Sequence, residues 1–232
     1  VAENKTALIV GASRGLGLAL AQEFLRRGWR VIGTVREGKE TKLHHLAGES
    51  NGMLEIEHVD IVEVGQISEL KNRLSGRIFD LLFVNAGVAN TKGMSETIGE
   101  VSTDEFIRVM VTNSLSPMRI VERFFDHVRM GGTIAIMSSG QGSIADNENG
   151  ANDIYRASKA ALNMLMRSFA ARRAKDHTLL LIAPGWIKTD MGGPDAKFSM
   201  DEAVPQIVDT ITSQEGKKGL QYLDRFGKTV RW

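Results

Sequence analysis

The sequence predicts an α/β fold: a single domain over residues 1–232, built on one doubly wound parallel sheet with helices on both faces. Three observations predict it. Apolar runs rich in β-forming residues alternate with segments of helical period. Most of those runs lack polar alternation, so they suit strands covered on both faces. The glycine-rich patches at 11–17, 140–150 and 185–193 each follow an apolar run, at the sheet edge where such folds keep their ligands.

Taken in order, the first strand is "TALIV" (6–10), and "LGLALAQEFLRR" (16–27) places Leu16, Leu20, Phe24 and Leu25 on one side of a helix. Strands follow at "RVIGTV" (30–35), "MLEIEHV" (53–59) and "DLLFVN" (80–85). A long helix is expected over 103–128, interrupted or kinked around Pro117, whose ring and missing N–H disturb a helical interior. "TIAIMS" (133–138) is a strand, 153–174 a second long helix, "TLLLIA" (178–183) a strand and "LQYL" (220–223) a further candidate. Strand followed by helix, repeated, requires crossover connections and hence parallel pairing. No low-complexity linker divides the chain.

Composition narrows the function. Hydrophobic residues make up 42% of the 232, enough for a full core. With 29 basic residues against 28 acidic ones, the balance gives no reason to expect nucleic acid or an acidic membrane surface as a partner. The absence of cysteine excludes disulfides and thiolate chemistry and fits a reducing compartment. No apolar run approaches the ~18 residues needed to span a bilayer. The first residues carry no basic region ahead of a long apolar core, so a soluble cytoplasmic protein is expected. The five histidines, at 44, 45, 58, 127 and 177, do not cluster at metal-ligand spacings; surface or helix positions and no metal site are expected.

"VGASRGLG" follows the first strand and opens the first helix. Gly11, Gly15 and Gly17 omit Cβ atoms where the chain must turn sharply and approach a ligand, and the N–H groups around Ser13, Arg14 and Leu16 face an anion. The next strand ends in Val35 and then Arg36. An acidic residue there would bond a free ribose 2′-OH, whereas an arginine accepts a 2′-phosphate. Arg36 and Arg14 together favour NADP(H), with Ser13 adding a hydroxyl; Glu37 is the alternative ribose acceptor.

Together with "VNAG" (84–87), a serine pair before "YRASK" (155–159), and "APGWIKTDM" (183–191), this Rossmann-type pattern resembles the short-chain dehydrogenase/reductase family, in order from about residue 5 to 191. The closing "LQYLDRFGKTVRW" is most similar to the C-factor/sniffer-like carbonyl reductases. The resemblance places the catalytic group on Ser139, Tyr155, Lys159 and Asn113. Tyr155 and Lys159, at i and i+4, share a helix face with ~5–6 Å between Cβ atoms. The ammonium is expected to favour the phenolate and bring the tyrosine toward working pH. Ser139 would bond the substrate oxygen as charge develops. By the resemblance, Lys159 also holds the nicotinamide ribose, and Asn113 positions a water that passes protons to it. The resemblance further implies that Asp60 and Ile61 hold and cover adenine, and that Asn85 and Ala86 tie the sheet where Gly87 lets the cofactor pass. Pro184 and Gly185 would fix a turn, with Ile187 and Thr189 meeting the nicotinamide carboxamide.

Other roles stand beside these. Asp60 equally suits a helix cap, Asn113 can kink its helix ahead of Pro117, and Ser138 can share the role of Ser139. The loop between Ser139 and Tyr155 is longer than usual in the family, which touches substrate access. The implied activity is NADPH-dependent reduction of a small carbonyl compound, or oxidation of the alcohol. The rival is an NADP(H)-sensing or signalling protein of the same fold with incidental activity. The substrate cleft is expected between 88–98, 140–153 and 186–200, with Trp186 and Met191 as an apolar wall. A homodimer through the two long helices is possible, and Met164 and Met166 suit core or partner-helix packing.

Overall fold

The computed structural model describes residues 4–38, 40–93, 95–173 and 176–232. Its first half runs β1 (Thr6–Val10), α1 (Gly15–Arg26), β2 (Arg30–Val35), α2 (Lys42–Glu49), β3 (Leu54–His58), α3 (Val64–Arg73) and β4 (Phe79–Val84). The second half runs α4 (Thr103–Met110), α5 (Ser116–Phe124), β5 (Val128–Met137), α6 (Asp153–Arg173), β6 (Thr178–Ala183), α7 (Met200–Ser213) and β7 (Gly219–Asp224). The strands form one sheet in the order β3-β2-β1-β4-β5-β6-β7, every neighbouring pair parallel. The winding direction reverses between β1 and β4, which opens a crevice at their C-terminal ends.

Successive strand residues feed opposite faces. Leu8, Val10, Leu179 and Leu181 join one core with α3, α5 and α6, through Ile67, Val121, Phe124, Met166 and Phe169. Ala7, Ile9, Leu180 and Ile182 join the other with α1, α2 and α7, through Leu20, Phe24, Leu43, Ile207 and Ile211. Burial on both faces explains why these strands lack polar alternation. Helix starts are set locally: Ser102 accepts from the Glu105 N–H ahead of α4, and Ser199 and Glu202 form a reciprocal capping box on α7.

The interruption expected around Pro117 is present, and the helix expected over 103–128 is corrected at its end. It ends at Phe124, and a short 3₁₀ turn leads into β5 at Val128. The disturbance sits one turn ahead of Pro117, as a wide π-turn over Val111–Leu115 closed by the Ser116 N–H on the Val111 carbonyl. Pro117 brings no N–H for the Asn113 carbonyl, and the wider turn absorbs the mismatch between α4 and α5. The end of the second long helix, at Ala174, lies outside the described residues, as does Met94 within the 88–98 loop. His177 is also corrected: it is buried ahead of β6, its ring centroid 4.6 Å from that of Phe125. Met166 is buried in the core whereas Met164 is exposed. Among the described residues no helix is long and apolar enough to cross a membrane, and no group of histidine and acidic side chains could hold a metal.

Candidate active site

The glycine loop is shaped by what it touches. Gly11 and Gly15 have φ of 89° and 54°, the left-handed region. A Cβ on Gly11 would stand 2.8 Å from Ala86, and one on Gly17 only 2.0 Å from the Gly11 carbonyl oxygen. Three bonds pin the loop. The Gly11 N–H donates to Thr34 Oγ1 (3.0 Å), the Ala12 N–H to the Thr34 carbonyl (2.8 Å), and Asn85 Nδ2 to the Gly11 carbonyl (2.9 Å). The first helical bond of α1 is Leu18 N–H to Arg14 O at 3.3 Å, so the N–H groups of Gly15, Leu16 and Gly17 have no helical acceptor. They form a positive cradle at the sheet crevice.

Beside the cradle lies a cleft of about 610 Å³ lined by Ser13, Arg36, Glu37, Gly38, Thr41, Asp60 and Gln66. Arg36 approaches Asp60 at 4.0 Å and is otherwise exposed. Asp60 Oδ1 accepts from the Val62 N–H (3.1 Å) and the Asp60 N–H donates to Gln66 Oε1 (2.7 Å). Asp60 therefore fixes the turn after β3; Glu63, not Asp60, occupies the cap of α3. The Ile61 side chain packs into the core instead of covering the cleft. Arg14 does not line it either, since its guanidinium donates to Asp190 at 2.8 Å. That pair is exposed on both sides, so it is worth only ~0–1 kcal/mol and exchanges readily for another anion. Gln66 and Thr41 were not singled out from the sequence: Gln66 lies within a helical segment, and Thr41 follows the charged run after β2 without a pattern of its own.

Ser139 follows β5, and Tyr155 and Lys159 occupy the first turns of α6. Lys159 is buried; its Nζ donates to the Met137 carbonyl at 2.9 Å and lies 5.7 Å from the centre of the Tyr155 ring. Burial pushes the Lys159 ammonium from 10.5 down to about 8. Burial also pushes the Tyr155 phenol above its ordinary 10.0, opposed by hydrogen bonding with Ser139. The expected lowering of the tyrosine by its lysine is thus corrected: loss of water dominates both groups, and the ammonium is bonded to a carbonyl instead of the phenol. Ser138 points away, donating to Asn163 Oδ1 at 2.7 Å, which leaves Ser139 as the serine beside Tyr155.

Asn113 projects from the π-turn as a two-sided bolt. Its Oδ1 accepts from the Val88 N–H (2.8 Å), and its Nδ2 donates to the Val88 carbonyl (2.9 Å) and to Ser158 Oγ (3.0 Å). A Cβ on Gly87 would lie 3.3 Å from Asn113 Oδ1 and 3.7 Å from Lys159 Nζ, so the missing side chain lets both groups crowd the end of β4. The segment after β6 closes the crevice from above. Gly185 has φ of 89°, and Pro184 O accepts from Arg225, whose guanidinium stacks 3.6 Å from the Phe198 ring centre. Ile187 is buried, Thr189 Oγ1 accepts from the Gly192 N–H (3.0 Å), and the Thr189 methyl lies 4.0 Å from where a Gly15 Cβ would be. Trp186 and Met191 are half-exposed, with the Trp186 indole N–H bonded to the Gly192 carbonyl at 2.8 Å.

The geometry meets matching findings from known proteins. A Burkholderia multivorans protein crystallised with bound NADP has 57% identity and a TM-score of 0.97, with 99% of this chain and 100% of that one covered. A carbonyl reductase from Pseudomonas aeruginosa PAO1 in complex with NADP has 31% identity and a TM-score of 0.91, over 99% and 100% of the two chains. The C-signal protein of Myxococcus xanthus is 34% identical over 156 residues, 66% of this chain and 92% of its own. The sequence profile of the short chain dehydrogenases matches residues 5–199, which span the glycine cradle, Ser139, Tyr155, Lys159 and the segment over the crevice: the chain belongs to the short-chain dehydrogenase/reductase family.

Proposed function

We propose that this protein reduces an aldehyde or ketone with NADPH, or oxidises the corresponding alcohol, with Tyr155 as general acid and base. The observation that carries the reading is the convergence of Ser139, Tyr155 and Lys159 beside a glycine cradle whose packing leaves no room for a Cβ at Gly11 or Gly17. The residues present fit a dinucleotide. The N–H groups of Gly15, Leu16 and Gly17 suit a pyrophosphate, and Ser13 and Arg36 at the mouth of the adjoining cleft suit a 2′-phosphate. NADP bound in the Burkholderia and Pseudomonas proteins supports the same choice.

When bound, NADPH supplies the hydride that reduces the carbonyl carbon. Ser139 donates a hydrogen bond to the substrate oxygen and keeps it in front of Tyr155. Tyr155 carries its proton at neutral pH, the state required of an acid in reduction; burial makes it a weaker acid, so delivery relies on the negative character of the oxygen and on the nearby cation of Lys159. Lys159, held by the Met137 carbonyl, places a cation under the tyrosine and steadies the phenolate left behind. Asn113 fixes Val88 and Ser158, and so the spacing between the end of β4 and α6. Exposed Leu115, Met164 and Leu165 line one apolar surface hollow with Met110, Val111 and Ala161, between α4, the π-turn and α6, which suits a homodimer. Light scattering at micromolar concentration, giving twice 25.4 kDa, checks it.

The test is a panel of aldehydes and ketones with NADPH, run on wild type and Tyr155→Phe. Wild-type turnover lost in the variant, with NADPH binding retained, is expected. Equal turnover by both would remove the proposed acid, and no NADPH binding by wild type would remove the reading.

A further inference from the structure

Ser139 has one attachment that the chemistry above does not use. Its carbonyl oxygen accepts from the Gly142 N–H at 2.9 Å and also from the phenol of Tyr222, a residue of β7 whose side chain is 1% exposed. Around this pair, Ser138 Oγ donates to Asn163 Oδ1 (2.7 Å) and Asn163 Nδ2 to the Gly142 carbonyl (3.3 Å). A Cβ on Gly142 would lie 2.9 Å from Asn163 Nδ2, so the turn after Ser139 is pressed onto α6.

A second set of contacts holds the rest of this unusually long loop. After β7 the chain reverses, with the Asp224 N–H bonded to the Lys228 carbonyl (2.8 Å) and an antiparallel bridge from Leu223 to Thr229. The return strip meets the loop three residues beyond Gly142: the Ala145 N–H donates to the Trp232 carbonyl (3.0 Å), and Arg231 Nε donates to Asp146 Oδ1 (2.6 Å). Trp232 is itself wedged between the Tyr222 ring (5.5 Å between centroids) and the Arg167 guanidinium of α6 (4.9 Å). The same two residues, Tyr222 and Trp232, thus fix both the start and the middle of the span from Ser139 to Tyr155.

We propose that Tyr222 is a positioning residue for Ser139, and that the 229–232 strip completes a clamp holding the active-site loop in the shape that aims the Ser139 hydroxyl at the substrate oxygen. The proposal rests on the reading of Ser139 and Tyr155 given above. Tyr222→Phe is the direct test, because it keeps the ring and leaves the Ser139 carbonyl its bond from Gly142. Amide hydrogen exchange of Gln141, Gly142 and Ser143 is expected to speed up at least about fivefold in the variant while the amides of β5 stay unchanged; unchanged exchange overturns the clamp. In turnover, kcat is expected to fall about tenfold with NADPH affinity unaltered, whereas the same substitution in a Ser139→Ala background costs less than about twofold. An equal loss in both backgrounds makes Tyr222 a general structural residue and overturns its positioning role. Wild-type kcat in Ser139→Ala alone would sink the acid–base reading itself, while a Ser139→Ala defect beside a silent Tyr222→Phe sinks only this proposal. Arg231→Ala serves as a second variant: it should speed exchange at Ala145 without slowing that of Gln141, and protection retained at Ala145 counts against the strip.

Discussion

Alanine at Gly17 isolates the packing of the cradle from its chemistry. The new Cβ would stand 2.0 Å from the Gly11 carbonyl oxygen and 2.6 Å from Asn85 Nδ2. Ordinary C···O contact begins near ~3.3 Å, so the Gly11 peptide must retreat by about 1.3 Å or α1 must shift by as much. Retreat opens the 2.9 Å bond from Asn85, at a cost of about 0.5–1.5 kcal/mol, on top of about 1–3 kcal/mol for overpacking. Alanine's better helix propensity returns about 0.5–1 kcal/mol. The net loss is about 2 kcal/mol, or a fall in Tm of about 4–8 °C for a domain of this size. Gly48→Ala is the control, since nothing lies within 4 Å of its Cβ inside α2; it should raise Tm by about 1–3 °C. Thermal unfolding followed by far-UV circular dichroism reads both. A Gly17→Ala protein melting within about 1 °C of wild type would refute the reasoning, because the loop would then have room that these distances deny it.

Arg36→Ala should cut the preference for NADPH over NADH roughly tenfold, the low end of a charge-assisted bond of about 1.5–3 kcal/mol, because the guanidinium is mostly exposed. Fluorescence titration with both nucleotides measures the ratio, and an unchanged ratio hands the selection to another residue. Lys159 gives a pH signature: its folded value is near 8 against 10.5 unfolded, so between these limits the unfolded chain binds the proton more tightly. Sign follows directly, for a depressed base burdens the fold below pH 8 and ceases to do so as pH rises toward 10.5. Denaturant unfolding should therefore show wild type gaining on Lys159→Met across that window, and a constant gap would contradict the burial of the charge.

The sheet was legible because its strands are buried on both faces: Leu179 to Ile182 serve two cores at once, and such runs read as strands with little ambiguity. The site was legible where chemistry forces residue type and spacing together, as in the glycines before α1 and the Tyr155–Lys159 pair. It was not legible where a role depends on distant partners. Arg14 and Asp190 meet from opposite ends of the chain, and nothing local to either announces the pair. The π-turn needed the detail that Asn113 lies four residues before Pro117. The direction of the Tyr155 shift was missed because periodicity gives the distance to Lys159 but not the loss of water around both groups. Tyr222 and Trp232 lie in the closing stretch that carries the narrower resemblance, but nothing in that stretch names their partners; only the placement of β7 at the sheet edge brings Tyr222 to Ser139 and Trp232 to Ala145.

The parallel sheet also sets an order in time. β1 pairs with β4, so Ala7 waits for Leu81, and the Gly11 carbonyl waits for Asn85, before the phosphate cradle can take shape. The Ser139 carbonyl waits longer, for Tyr222 to arrive on β7 after that strand has paired with β6. In a chain made from its N-terminus, every residue of the glycine cradle is therefore present well before those that aim the serine. The two halves of the crevice thus differ in sequence span: the phosphate cradle closes within the first 85 residues, whereas the reactive half needs partners as far apart as Ser139 and Tyr222.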